Sequence, residues 1–148
     1  MRIVEYAPCY RAAFIRLNTA WLERFYWVED FDQYAMDHVE DLIAEGAMAY
    51  FALDDSDEVL ATCMAMPLEN GVWELCKLAA RDQYTGTGAG GAVFQTAMDY
   101  ACRHGAKKLV MISCRSLNQK FGFREVPYRK EYWKSEKADI EMELDVKN

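Results

Sequence analysis

The residue types best suited to chemistry lie in two adjoining stretches, Glu74-Leu75-Cys76-Lys77-Leu78-Ala79-Ala80 and Tyr84-Thr85-Gly86-Thr87-Gly88-Ala89-Gly90-Gly91. The second holds four of the chain's eight glycines, and a helical pattern starts within it: Ala89, Val93, Ala97 and Ala101, interleaved with Phe94 and Met98. Glycine admits positive φ and lets backbone N–H groups approach a ligand with no Cβ in the way. At a helix start those N–H groups have no intrahelical partner and sit at the positive end of the helix dipole. The turn is therefore a candidate cradle for a phosphate or pyrophosphate.

Three phosphate-binding patterns compete for it. A P-loop ends in Gly-Lys-Ser/Thr, and Gly91-Ala92 supplies no lysine. A dinucleotide fingerprint is present as Gly86-x-Gly88-x-x-Gly91, but it calls for an acidic residue about 20 positions on. The strand Lys108-Leu109-Val110-Met111-Ile112-Ser113 ends without one, and an antiparallel meander precedes the turn. The third pattern fits more of the context. Glu74 to Ala80, a short loop, Tyr84-x-Gly86-x-Gly88-Ala89-Gly90 and a helix, continued by Lys120-Phe121-Gly122-Phe123 and a closing strand, resemble the acyl-CoA-binding core of the GNAT superfamily of N-acetyltransferases.

That resemblance implies an enzyme that moves an acetyl group from acetyl-CoA directly to a primary amine, either a small molecule or a peptide. It implies that Leu78, Ala79 and Ala80 lie against the pantetheine arm, in a gap between the fourth and fifth strands. It further implies that Thr85, Gly86, Thr87, Gly88, Ala89, Gly90 and Gly91 hold the pyrophosphate. Superfamily members line the acceptor side with the first helices and their connection, here Tyr26, Trp27, Glu29 and Asp30. The same residues also fit a packed helix end, the reading favoured for Trp21. Acetyl transfer needs a deprotonated amine, a polarised carbonyl and a proton for the departing thiolate. Strand alternation puts Glu74 on one face with Cys76 and Leu78, which makes it the candidate base; a salt-bridged glutamate is the alternative. Two features depart from the family. Asp82 and Thr85 stand where its turn has Pro and then Arg or Gln, leaving Arg81 or Gln83 as substitutes, and the segment from Cys114 to Phe121 is short. Asn118 occupies the place of the family's acidic tyrosine, and a carboxamide has no proton to give near neutral pH. Tyr128 and Tyr132 are the nearest phenols, and solvent is the favoured proton source. A non-catalytic acyl-CoA-binding domain and a Rossmann-type nucleotide module are the other readings.

The elements that must position these residues follow from periodicity. Residues 2–6 read as a strand, and Phe14, Leu17, Trp21 and Phe25 mark a helix from about Tyr10. Asp32 caps a second helix carried by Tyr34, Ala35, Val39, Leu42 and Ile43 and stopped by Gly46, with Asp37, Glu40, Asp41 and Glu45 on its solvated face. Strands follow at 48–53 and 58–67, and Asn70-Gly71 is a strong hairpin signal leading into 72–80. After the glycine turn and its helix come strands at 107–114 and 121–126. In the last segment, 137–146, Ile140, Met142, Leu144 and Val146 alternate with charged residues, as in a half-exposed antiparallel strand. The expected fold is α/β of GNAT type: a mixed, mostly antiparallel sheet of about six or seven strands, helices on both faces and a central βαβ unit.

Composition sets the outer bounds. At 148 residues, with 52% hydrophobic and 14% aromatic residues, one well-cored domain is expected. Cys9, Cys63, Cys76, Cys102 and Cys114 form no Cys-x-x-Cys pair and read as buried, reduced thiols. His38 and His104 fit no metal spacing, so no metal is expected. A net charge of -7 disfavours a nucleic-acid partner and suits a cationic amine. The strand-like start and the lack of a long apolar run argue against a membrane and for a cytoplasmic protein, and a homodimer stays open.

Overall fold

The computed structural model describes residues 1–25, 27–81, 88–112, 121–135 and 138–147. In chain order they form β1 (Arg2–Glu5), a short 3-10 turn at Pro8–Tyr10, α1 (Arg11–Phe25), α2 (Asp30–Asp37) and α3 (Val39–Ala44). Next come β2 (Met48–Leu53), β3 (Val59–Pro67), β4 (Val72–Ala80), α4 (Ala89–Arg103) and β5 (Lys108–Ile112), then β6 (Arg124–Val126), α5 (Lys130–Trp133) and β7 (Glu141–Asp145). The strands make one seven-stranded sheet in the order β1-β2-β3-β4-β5-β7-β6. All neighbours are antiparallel except β4 and β5, which run parallel on either side of α4.

Alternation along the strands builds a core on each face. On one side Ala49, Phe51 and Leu53 of β2 pack with Phe14 and Leu17 of α1, Met36 of α2 and Val39 of α3. On the other, Tyr50 and Ala52 pack with Val93, Phe94, Ala97 and Ala101 of α4. Phe14, Phe51 and Phe94 are completely buried, each worth roughly 1.5–3 kcal/mol of apolar transfer. The Asn70-Gly71 signal is realised as a type I′ turn. Both residues have positive φ, +58° and +76°, and the Val72 N–H donates to the Glu69 carbonyl at 3.1 Å.

β4 departs from plain alternation. Thr62 of β3 pairs with Ala79 while Met64 pairs with Cys76, so β4 carries one extra residue opposite Cys63. Lys77, at φ +53°, is that bulge. Glu74 and Cys76 therefore share a face, as expected, but Leu78 does not join them: it packs on the α4 side, and Ala79 takes the place on the α1 side.

Three further expectations need correction. Asp32 does not cap the second helix: Glu29 is the N-cap, and Asp32, three residues on, accepts the Glu29 N–H in a reciprocal capping box. That helix is also two, because the chain breaks at His38 between α2 and α3. Of the cysteines, only Cys63 is buried; Cys9 and Cys102 are exposed, Cys76 is partly buried, and Cys114 lies outside the described residues.

In β7 the alternation predicts an outward Glu141, yet it is 1% exposed. It accepts from the Arg129 guanidinium at 2.7 and 2.9 Å, the Arg129 backbone N–H at 3.1 Å and the Trp133 indole N–H at 2.9 Å. Burial pushes this carboxyl upward, but the hydrogen bonds from Arg129 and Trp133 outweigh it and hold Glu141 below its ordinary range. The loop from 127 to 135 is thus pinned to the sheet through one carboxylate. Glu141→Ala strands those donors and should lower unfolding stability by about 1–3 kcal/mol in urea titration; an unchanged midpoint would show that the loop is held elsewhere.

Candidate active site

The β4–β5 ladder runs from Val72–Lys108 to Glu74–Val110 and goes no further among the described residues. Beyond Glu74 the two strands part: β4 stays paired with β3 up to Ala80, and Met111 and Ile112 of β5 keep only the pairing with β7 that runs along the whole strand. The fork opens into a cavity of about 740 Å³. Its walls come from Asn18, Trp21 and Leu22 of α1, residues 27–32, residues 74–78 of β4, Met111 and Ile112 of β5, and residues 132–135. The Ser135 hydroxyl donates to the Glu29 carboxylate at 2.7 Å, tying the α1–α2 connection to the C-terminal loop beside the cavity.

Glu74 is 5% exposed, on the cavity wall at the point where the strands divide. Burial pushes its carboxyl up to about 7; the Lys77 ammonium pulls it down and Asp32 pushes it up. Lys77 and Asp32 form an ion pair whose side chains are both 8% exposed. The bulge aims Lys77 at α2, and its ammonium also lies 5.3 Å from the centre of the Phe31 ring. Cys76 lines the same wall, and burial, reinforced by Glu74, drives its thiol well above the ordinary range.

At the start of α4 the N-cap is Gly88, at φ +92°, which brings no capping side chain, and no acidic residue occupies the first turn. Among the described residues a Cβ at Gly88 or Gly90 would meet nothing within 4 Å, so none of them blocks the helix N-terminus there. At Gly91 it would meet the Phe121 ring at 3.9 Å.

A sequence profile of the acetyltransferase (GNAT) family matches residues 14–123. The chain belongs to that family. No curated protein matches the sequence. Among solved structures, a GNAT-family acetyltransferase from Staphylococcus aureus Mu50 is similar at 14% identity over 99% of both chains, with a TM-score of 0.87. A GNAT-family acetyltransferase from Brucella melitensis in complex with acetyl-CoA is 19% identical over 99% of this chain and 88% of its own, with a TM-score of 0.74. An aminoglycoside 6'-N-acetyltransferase complexed with coenzyme A is 16% identical over 100% and 98% of the two chains, with a TM-score of 0.75. These three share their overall fold with the present acetyltransferase.

Of the residues singled out from sequence, Trp27, Glu29, Asp30, Glu74 and Leu78 line this cavity. Ala79 is buried in the α1-side core and Ala80 packs toward α4, so neither forms its wall. Gly88, Ala89, Gly90 and Gly91 form the start of α4. Tyr26, Thr85, Gly86 and Thr87 lie outside the described residues, as do Asp82, Gln83 and Asn118. The Tyr128 hydroxyl donates to the Ser135 carbonyl at 3.2 Å and is not part of the wall, whereas Tyr132 is. Trp21, read as core, does pack against the α1-side core and also lines the cavity. Among the described residues no group of three or more His, Cys, Asp or Glu is placed to hold a metal, and no helix is long and apolar enough to cross a membrane.

Sequence reasoning missed Lys77 and Asp32. A lysine inside the apolar run of β4 was the available signal, since a long cation inside such a run must find a partner or leave the strand.

The raised Glu74 carboxyl has a stability consequence. A folded-state value above the ordinary 4.5 means that Glu74's contribution is fully present below pH 4.5 and is lost as the pH rises through about 7. Glu74→Gln should therefore be more stable than wild type at pH 8, with the advantage shrinking steadily toward pH 4.5. Urea midpoints that differ by the same amount at both ends would show that Glu74 titrates as an ordinary carboxylate.

Proposed function

We propose that this acetyltransferase moves an acetyl group from acetyl-CoA directly to a primary amine bound in the cavity, with Glu74 as the base. One observation carries the reading: a buried carboxyl titrating at about 7 faces the cavity at the parting of β4 and β5. A base poised near the operating pH is the most effective kind. The Brucella melitensis neighbour's complex with acetyl-CoA supports the choice of donor.

The residues present suit that donor. The open start of α4 offers the N–H groups of Ala89, Gly90 and Gly91 to a pyrophosphate, with no Cβ at Gly90 to block it. Past Glu74 the edge of β4 facing β5 has no strand partner among the described residues, which leaves backbone polar groups for an extended arm. Acetyl-CoA supplies the activated acetyl group. Glu74 takes the proton from the ammonium of the acceptor, and the aromatic and acidic wall formed by Trp27, Glu29 and Asp30 orients it. Direct transfer, rather than an acetylated cysteine, is supported by Cys76, whose thiol is held well above the ordinary range, stays protonated and is a poor nucleophile. Tyr128 is engaged with Ser135 and lies off the wall, which leaves solvent, the favoured source, or the wall phenol of Tyr132 to protonate the departing thiolate. A non-catalytic acyl-CoA-binding domain would need no base at the fork.

Gly90→Asp is the cleaner test of the donor site, since Gly88 at φ +92° would be strained by any side chain. The added carboxylate should weaken acetyl-CoA binding, followed by calorimetry, by at least about tenfold; unchanged affinity would remove the donor site from this turn. Glu74→Gln should lower turnover by about 10² to 10⁴-fold near pH 7 and recover at high pH, where free amine needs no base. A pH profile matching wild type would assign Glu74 to structure alone.

A further inference from the structure

The cavity already contains a cation of its own. An ammonium group is best recognised by a desolvated carboxylate and an aromatic face, and Asp32 with Phe31 form such a pair in the wall. Both are taken by Lys77: its Nζ is ion-paired to Asp32 and lies 5.3 Å from the Phe31 ring centre. The remaining oxygen of Asp32 accepts the Glu29 N–H at 3.0 Å, and Glu29 itself accepts from Ser135. Asp30 and Glu74 are the other carboxylates of the wall, while Lys134 adds a second positive group.

The apolar surface points the same way. Trp27, Phe31 and Tyr132 are 51%, 47% and 47% exposed, and all three line this cavity. Large rings left in water together, rather than singly, mark a surface that binds something apolar.

We propose that Lys77 occupies the place of a second ammonium group, and so confines the acceptor to amines with a single cation on an apolar or aromatic body. This rests on the reading of the cavity as the acceptor site. A diamine entering with its reacting end at Glu74 would bring its other ammonium toward Lys77 and Lys134, where like charges repel in a partly desolvated space. Displacing Lys77 from Asp32 instead would leave a buried cation without its partner, which is strongly unfavourable. Lys77 thus acts on specificity by exclusion.

Acetylation of phenethylamine and of cadaverine by the full chain tests this, with acetyl-CoA binding followed separately by calorimetry. Wild type should favour phenethylamine in kcat/KM by at least about tenfold. In Lys77→Met, which keeps an apolar stem but frees Asp32, the ratio should move toward cadaverine by about tenfold or more, and cadaverine should raise the thermal midpoint of this variant but not of wild type. The double variant with Asp32→Asn, which leaves no carboxylate at the place Lys77 occupies, should show no such gain. Should Lys77→Met fail to fold, the wild-type ratio decides. A wild-type preference for cadaverine or an equal gain in the double variant would each overturn this inference alone, whereas turnover of neither amine by protein that binds acetyl-CoA would count against both this inference and the catalytic reading beneath it. Failure of wild type to bind acetyl-CoA would instead overturn the function beneath it.

Discussion

A lysine held at φ +53° inside a strand is unfavourable by about 1–3 kcal/mol unless its surroundings impose the conformation. Here the surroundings are an ion pair: Lys77 reaches from the bulge of β4 to Asp32 on the first turn of α2, with both side chains nearly buried. That contact joins the sheet to the helical layer above it, at the level where β4 and β5 separate. It turns Leu78 to the α4 side while Cys76 stays with the α1 side, and Glu74, Cys76 and Leu78 all line the cavity. It also sets the field that Glu74 feels, because the ammonium pulls its carboxyl down and the Asp32 carboxylate pushes it up. Burial wins, and the carboxyl is held up at about 7.

Around this contact the two cores act as a clamp that keeps the fork open. α4 is fixed to one face by Val93, Phe94, Ala97 and Ala101, so its glycine start stays beside the end of β4. On the other face α1 and α2 are packed through Phe14, Leu17 and Met36, which holds the α1–α2 connection over the cavity. The C-terminal loop completes the wall through two carboxylates with different tasks: Glu141 anchors the loop to β7, and Glu29 receives Ser135 from it. A site assembled from four separate parts of the chain is thereby held by buried polar contacts, each of which sits on a well-packed element.

How much of this was legible depended on whether the signal was local. Asn70-Gly71, the helical spacing behind Gly88 and the apolar strands were read correctly because turn geometry and periodicity are properties of a few consecutive residues. Of Tyr26, Trp27, Glu29 and Asp30, expected on the acceptor side from the family resemblance, Tyr26 lies outside the described residues and the other three line one cavity with Glu74. Leu78 was put on the wrong face because alternation assumes an unbroken strand, and the bulge at Lys77 is decided by a partner 45 residues away in sequence. Glu141 was read as solvent-facing for a similar reason: what buries it is Arg129 and Trp133, in a loop whose position no pattern in β7 encodes.

Everything at the fork depends on Glu74 being a proton acceptor near neutral pH, and that can be observed without substrate. Carbon-detected NMR titration of the Glu74 side-chain carboxyl, assigned by comparison with Glu74→Gln, reports its ionisation directly. A midpoint of about 7 is expected from its burial in the cavity wall. A midpoint near the ordinary 4.5 would mean that water reaches this carboxylate freely, and would contradict its role as the base.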